Sequence, residues 1–125
     1  MITRENILKG RDKDFPLSAE MEGNLLSLIA ALKIMEAESN KEFVVTSGYR
    51  PPVINQRVGG ARKSRHQTCQ AADIADPDGS LADFVFKNLA ALERANLWIE
   101  APSATPGWVH FQTVPPKSGK RIFTP

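Results

Sequence analysis

His66 and Asp73 stand seven residues apart in the stretch SRHQTCQAADI (64–74), with the chain's single cysteine, Cys69, between them. Three chemistries fit that composition. The first is a metal site, since a catalytic zinc commonly takes three protein ligands from His, Asp and Glu and keeps one position open. The chain has only two histidines, so His66, Asp73 and His110 would use its whole histidine supply. The second is a thiol nucleophile, Cys69, with His66 as its base on a turn. The third is an ordinary hydrogen-bonded His–Asp pair. Spacing adds a constraint on the first. Seven extended residues span roughly 23 Å, whereas ligands of one metal lie a few Å apart. The chain from His66 to Asp73 must therefore fold back, with HQTC turning and QAADI entering a sheet.

The elements needed to position these residues are legible on either side. Leu25, Leu28, Ile29, Leu32 and Met35 recur at three- and four-residue steps and predict a helix over about 19–38, with Ser18 as its cap. FVVTSG reads as a short buried strand, which Pro51 and Pro52 end while biasing Arg50 to an extended conformation. VINQRVGGARKS can begin with a short helix that Gly59 and Gly60 stop. CQAADIA reads as a strand of small residues, and DPDG as a turn. A second helix is predicted over SLADFVFKNLAALERAN, capped by Ser80 and carrying Leu81, Phe84, Val85, Leu89 and Leu92. LWIE and WVHFQTV read as two further strands around APSATPG. Residues 1–16 are expected to be an extended arm packed on the domain, and 115–125 an irregular tail or short edge strand. The order implies one small α+β domain over 1–125, with a largely antiparallel sheet and helices packed on one side.

Composition narrows the function classes. The 125 residues suffice for one real core and are too few for two comfortable ones. One cysteine excludes an internal disulfide framework. The N-terminal MITRENILKGRDKDF has no apolar signal-peptide core, and no stretch reaches a membrane span, so synthesis in the cytoplasm and no stable membrane insertion are expected. The formal charge of +2 is a small surplus and not a basic stripe. Its densest cluster, Arg57, Arg62, Lys63 and Arg65, is either a solvated loop or an attractor of an anionic substrate or polymer. No nucleic-acid-reading motif accompanies it, so nucleic acid is not an expected partner.

The pattern SxHxxxxAxD, here Ser64, His66, Ala71 and Asp73, resembles the signature of the zinc D-Ala-D-Ala carboxypeptidase and endolysin family, relatives of the lysostaphin- and hedgehog-type zinc domains. The upstream SGYRPP and downstream WVHFQ resemble that family's other blocks, in the same order, and together the three cover most of residues 44–113. The resemblance implies a hedgehog/DD-peptidase-like fold and one Zn2+ per chain held by His66, Asp73 and His110. It also implies Arg50 as the group that meets a substrate carboxylate or the oxyanion, and Ser64 as a hydrogen-bond partner of the peptide. The guanidinium fork of Arg50 suits either anion. A loop-capping role for Ser64 stands beside the substrate-binding one.

The chain departs from the family pattern in two places. Cys69 stands where the family often has glycine, a position that would suit positive φ. A buried inert thiol is the expectation there, and a fourth ligand the alternative. Many members carry Glu three residues before the last histidine, where this chain has Gly107. The nearest remaining carboxylate is Glu100. If 97–100 pairs antiparallel with 108–112 about a centre near Thr105, Glu100 lies opposite His110 and on its face, placed to act as general base. Trp108 can wall a cleft or fill the core, and Gln112 can touch substrate or the ligand behind it. The function expected is a zinc peptidase cutting peptidoglycan stem peptides as a carboxypeptidase or an endopeptidase. It is expected to be a monomeric phage or prophage lysis enzyme that reaches the wall after membrane breach. The alternative is an inactive zinc-bearing wall-binding module.

Overall fold

The computed structural model describes residues 1–125. Five helices, α1 (Arg4–Leu8), α2 (Ala19–Ser39), α3 (Pro52–Arg57), α4 (Ser80–Lys87) and α5 (Leu89–Ala95), accompany five short strands. The strands are β1 (Val45–Ser47), β2 (Ala71–Ala75), β3 (Trp98–Glu100), β4 (Trp108–Gln112) and β5 (Ile122–Phe123). They form one sheet in the order β1-β2-β4-β3-β5. All pairs are antiparallel except β3 with β5, which run parallel. The α+β class expected from the sequence is the one found. No helix is long and apolar enough to cross a membrane.

The sheet divides its side chains by the two-residue period of a strand. Ala72 and Ile74 of β2, Val109 and Phe111 of β4 and Ile99 of β3 join the hydrophobic core with the buried side of α2. That side is Leu25, Leu28, Ala31, Leu32 and Met35. The alternate residues, Asp73, His110, Gln112 and Glu100, stand on the opposite face. Helix α2 begins at Ser18 as expected, its Oγ accepting from the Met21 N–H at 3.1 Å.

Three local expectations are corrected. The N-terminal arm is not extended: Thr3 caps α1, and Ile2, Ile7 and Leu8 are fully buried in the core. Glu36 on α2 ties the arm down, accepting the Ile2 and Phe43 N–H groups at 2.9 and 3.0 Å. The helix predicted over 80–96 breaks at Asn88, which leaves helical geometry (φ −131°, ψ 57°), so Leu89 turns outward and Ala91, Leu92 and Ala95 resume the buried side. Ser80 does not cap α4. The buried Asp76 does, accepting the Leu81 and Ala82 N–H groups at 2.9 Å each, and it offers two oxygens where a serine offers one.

Candidate metal centre and its cleft

Pairing of β2 with β4 puts Asp73 directly opposite His110. A third residue arrives from outside the sheet. After α3 the chain runs through Gly59 and Gly60 into a single 3-10 turn, Arg65–Thr68, whose cap is Ser64: its Oγ accepts from the His66 N–H at 3.2 Å. The turn ends at Cys69 in the left-handed region (φ 59°), which reverses the chain into β2. This is the fold-back that the His66–Asp73 spacing demands. The cysteine thus occupies a position that favours glycine. Its side chain lies in the hydrophobic core, burial pushes the thiol up to about 11, and Glu22 adds to the shift. A thiol held protonated in this way is a poor nucleophile, and Cys69 is not among the groups that converge with His66.

The ring orientations follow from the hydrogen bonds. His66 Nδ1 lies 2.8 Å from the Gly48 carbonyl oxygen. A carbonyl only accepts, so Nδ1 carries the proton and Nε2 carries the lone pair. That Nε2 is buried, has no hydrogen-bond partner and lies 3.3 Å from Asp73 Oδ1. Gln112 settles the second ring. Its Nε2 donates to the Val114 carbonyl at 2.7 Å, so its Oε1 accepts from His110 Nε2–H at 2.9 Å. His110 Nδ1 is left facing Asp73 Oδ1 at 2.9 Å. Two imidazole lone pairs directed at one carboxylate require a cation or a proton between them. Burial alone would lower His110, but its hydrogen bond and charge interaction with Asp73 raise it above its ordinary value. Burial alone would raise Asp73, but its hydrogen bond with His110 and its charge interactions with His66 and His110 hold it far below the usual carboxylate range.

The three side chains offer ligand atoms that all lie within 4.8 Å of one another. Two neutral imidazoles and one carboxylate are a donor set suited to zinc, and the orphaned, buried His66 Nε2 is the atom that such an ion would satisfy. The residues present fit the group.

These residues floor a cleft of about 770 Å³, which Arg50, Ser64, Glu100, Trp108 and Gln112 border and Cys69 does not. Glu100 and His110 face each other across β3 and β4, continuing the register Trp98–Gln112 and Ile99–Phe111, which centres on Thr105. Glu100 Oε1 is 3.8 Å from His110 Nε2. Arg50 is half-buried and donates from Nη2 to Ser64 Oγ at 3.3 Å, while its Nε is buried without a partner. Ser64 therefore caps the turn and braces Arg50 at once. Trp108 is half-buried on the wall, and Gln112 sits behind His110 and also borders the cleft.

Sequence reasoning missed two contributors. One is Gly48, whose carbonyl orients His66 and whose missing side chain lets the backbone of Ile7 pack against it; a Cβ there would collide with the Ile7 carbonyl. The irregular register between Val45 and Ser47 opposite β2 brings the end of β1 to this point. The signal was the glycine in SGYR. The other is the tail. Through β5 it pairs with β3, Arg121 lies 4.1 Å over the Trp98 ring, and Phe123 meets His110 edge-on, so Phe123, Thr124 and Pro125 become a wall of the cleft. Nothing in its composition announces this.

A family model described as Peptidase M15 matches residues 2–101. No curated protein matches the chain. The matched span holds His66, Asp73, Arg50, Ser64 and Glu100 and stops before His110. The chain belongs to the peptidase M15 family, whose members are zinc-dependent peptidases related to the D-Ala-D-Ala carboxypeptidases.

Proposed function

Proceeding from membership of the peptidase M15 family, we propose that this chain is a zinc peptidase that hydrolyses stem peptides of peptidoglycan, with His66 Nε2, Asp73 and His110 Nδ1 holding one Zn2+. The observation that carries this is the convergence of three lone-pair donors, one of them buried and unpartnered, on the floor of an open cleft. Bound zinc supplies Lewis acidity toward the scissile carbonyl and makes a water more acidic. Glu100 takes the proton of the attacking water and delivers it to the leaving amine. Arg50, braced by Ser64, meets the negative charge that develops on oxygen or the carboxylate of a C-terminal residue. Gln112 keeps His110 in the tautomer that presents Nδ1. Trp108 and the tail flank the bound peptide.

The likeness of SGYRPP, SxHxxxxAxD and WVHFQ to the blocks of the carboxypeptidase and endolysin family supports a lysis enzyme of phage or prophage that reaches the wall once the membrane is breached. The test is zinc content of the purified protein with product masses from defined muropeptides, before and after chelation. One zinc per chain and cleavage restored by zinc is the expected result, and the masses name the bond. Zinc without cleavage of any muropeptide would leave a wall-binding module, and no zinc would sink both. Glu100→Gln is expected to bind zinc normally and lose cleavage by about 100-fold or more. Undiminished cleavage would remove Glu100 from the mechanism.

A further inference from the structure

Charge is segregated along this chain in a way that its small net value hides. Residues 43–72 carry five cations, Arg50, Arg57, Arg62, Lys63 and Arg65, and no Asp or Glu. Residues 101–125 carry three, Lys117, Lys120 and Arg121, and again no Asp or Glu. All fourteen acidic residues lie in the remaining two segments. The fold then brings the two acid-free segments together. Every residue lining the cleft comes from one or the other except Asp73 and Glu100, which belong to the floor. The expectation of no basic stripe holds along the sequence and fails in space.

The cations of the walls are also free. The ion pairs of arginine and lysine, Arg4–Glu22, Lys87–Asp83 and Arg94–Glu38, all lie outside the cleft. Lys63, Arg65 and Lys117 line it, are exposed and have no carboxylate partner. Arg65 sits on the turn that delivers His66 and Lys63 just before its cap, and Lys117 lies on the segment that leaves β4 after Gln112. Arg50, with its unpartnered buried Nε, stands deeper in the same cleft. One carboxylate next to the scissile bond could use Arg50 alone and would leave the outer three without a role. Unneutralised charge of one sign around a concave site concentrates ligands of the other sign.

We propose that Lys63, Arg65 and Lys117 bind a second anionic group of the substrate, a free carboxylate at least one residue away from the scissile bond. The preferred substrate is then a peptide with several free carboxylates and not its amidated counterpart. This rests on the peptidase reading for the identity of the ligand as a peptide, and the experiment separates the two. Two synthetic stem-type peptides, identical except that a glutamyl α-carboxylate is free in one and amidated in the other, are labelled and titrated by fluorescence anisotropy. The protein is zinc-loaded Glu100→Gln, to prevent turnover, and cleavage by the wild type is followed in parallel.

The free-carboxylate peptide is expected to bind roughly tenfold more tightly at low salt, as three exposed contacts of modest strength would give. The preference should shrink as added salt shortens the screening length. It should vanish when Lys63→Gln, Arg65→Gln and Lys117→Gln are combined. It should persist when the same charge is removed outside the cleft by Lys13→Gln, Lys33→Gln and Lys87→Gln. Equal binding of the two peptides, or a preference that survives loss of the three wall cations, overturns the proposal even if both peptides are cleaved. Preferential binding without cleavage leaves it standing and removes the peptidase reading. Displacement of the peptide by polyphosphate at lower concentration than by unlabelled peptide overturns the assignment to a peptide and points to an anionic polymer.

Discussion

Gln112 offers the sharpest test of the metal centre, because its role depends on an orientation and not on its being a ligand. Its amide lies between the Val114 carbonyl at 2.7 Å and His110 Nε2 at 2.9 Å, and both Gln112 and His110 are buried. Replacement by Leu keeps the volume and removes both hydrogen bonds. The Nε2–H of His110 and the carbonyl of Val114 then lose their partners, at about 1–3 kcal/mol for each that stays dry. The imidazole is freed to shift its proton to Nδ1, the nitrogen that must be bare to bind zinc. Loss of such a partner behind a ligand typically costs 10- to 100-fold in metal affinity, or about 1.4–2.7 kcal/mol. The assay is competition for zinc against a chromophoric chelator, with thermal denaturation of the metal-free proteins alongside. Gln112→Leu is expected to weaken zinc binding by that factor and to lower the melting temperature of the metal-free protein. Gln112→Glu keeps an acceptor for Nε2–H and is expected to recover most of the affinity while staying less stable, since its contact with Val114 is lost. Zinc affinity of Gln112→Leu within twofold of wild type would refute the argument that the tautomer is held from this side.

Gly48→Ala would drive a methyl group into the Ile7 carbonyl and displace the oxygen that orients His66, so a loss of about 1–3 kcal/mol in chemical denaturation is expected together with weaker zinc binding; stability within about 0.5 kcal/mol of wild type would show that the backbone yields freely. Asp76→Ala removes the cap of α4 at a buried position and should cost about 1–3 kcal/mol with zinc affinity unchanged, and a loss of zinc binding would contradict its purely structural role. Cys69 supplies the pH prediction. Its thiol ionises near 9 in the unfolded chain and about 11 in the folded one, so between these values the unfolded state gives up a proton that the folded state keeps. Stability is therefore fully present below pH 9 and falls by an amount of order 2 kcal/mol as pH rises to about 11, which denaturant titrations at pH 8 and 10.5 compared with Cys69→Ala would measure; a wild type as pH-independent as the variant would exclude it. In the same variant, zinc-dependent cleavage is expected to persist, whereas a thiol enzyme would lose it.

The long helix α2 was legible because one apolar side at a 3.6-residue period decides both its existence and its orientation. The antiparallel register of β3 and β4 was legible for a similar reason: a short connection centred on Thr105 leaves few ways to bring Leu97–Glu100 back along Trp108–Gln112, and side chains alternate with period two. The break at Asn88 was hidden because SLADFVFKNLAALERAN keeps apolar residues at helical steps on both sides of it. The cap of α4 was misassigned because Ser80 stands at the right place in sequence, while Asp76 reaches the same N–H groups from four residues earlier across the DPDG turn.

The sequence by itself determined which residue types were present to bind an ion: two histidines, Asp73 seven residues after the first, and a chain that must turn back after His66 if both are to hold one ion. The family resemblance, not the local sequence, marked position 69 as one that often holds glycine, and the structure gave the reason in the left-handed backbone of Cys69. Only the tertiary structure decided which nitrogen of each histidine faces Asp73, because that choice is made by Gly48, Gln112 and Val114, groups that touch the rings through the fold. It alone decided that the acid-free segments 43–72 and 101–125 wall one cleft. Charges far apart in sequence act on the same ligand only when packing brings them within a screening length of one another.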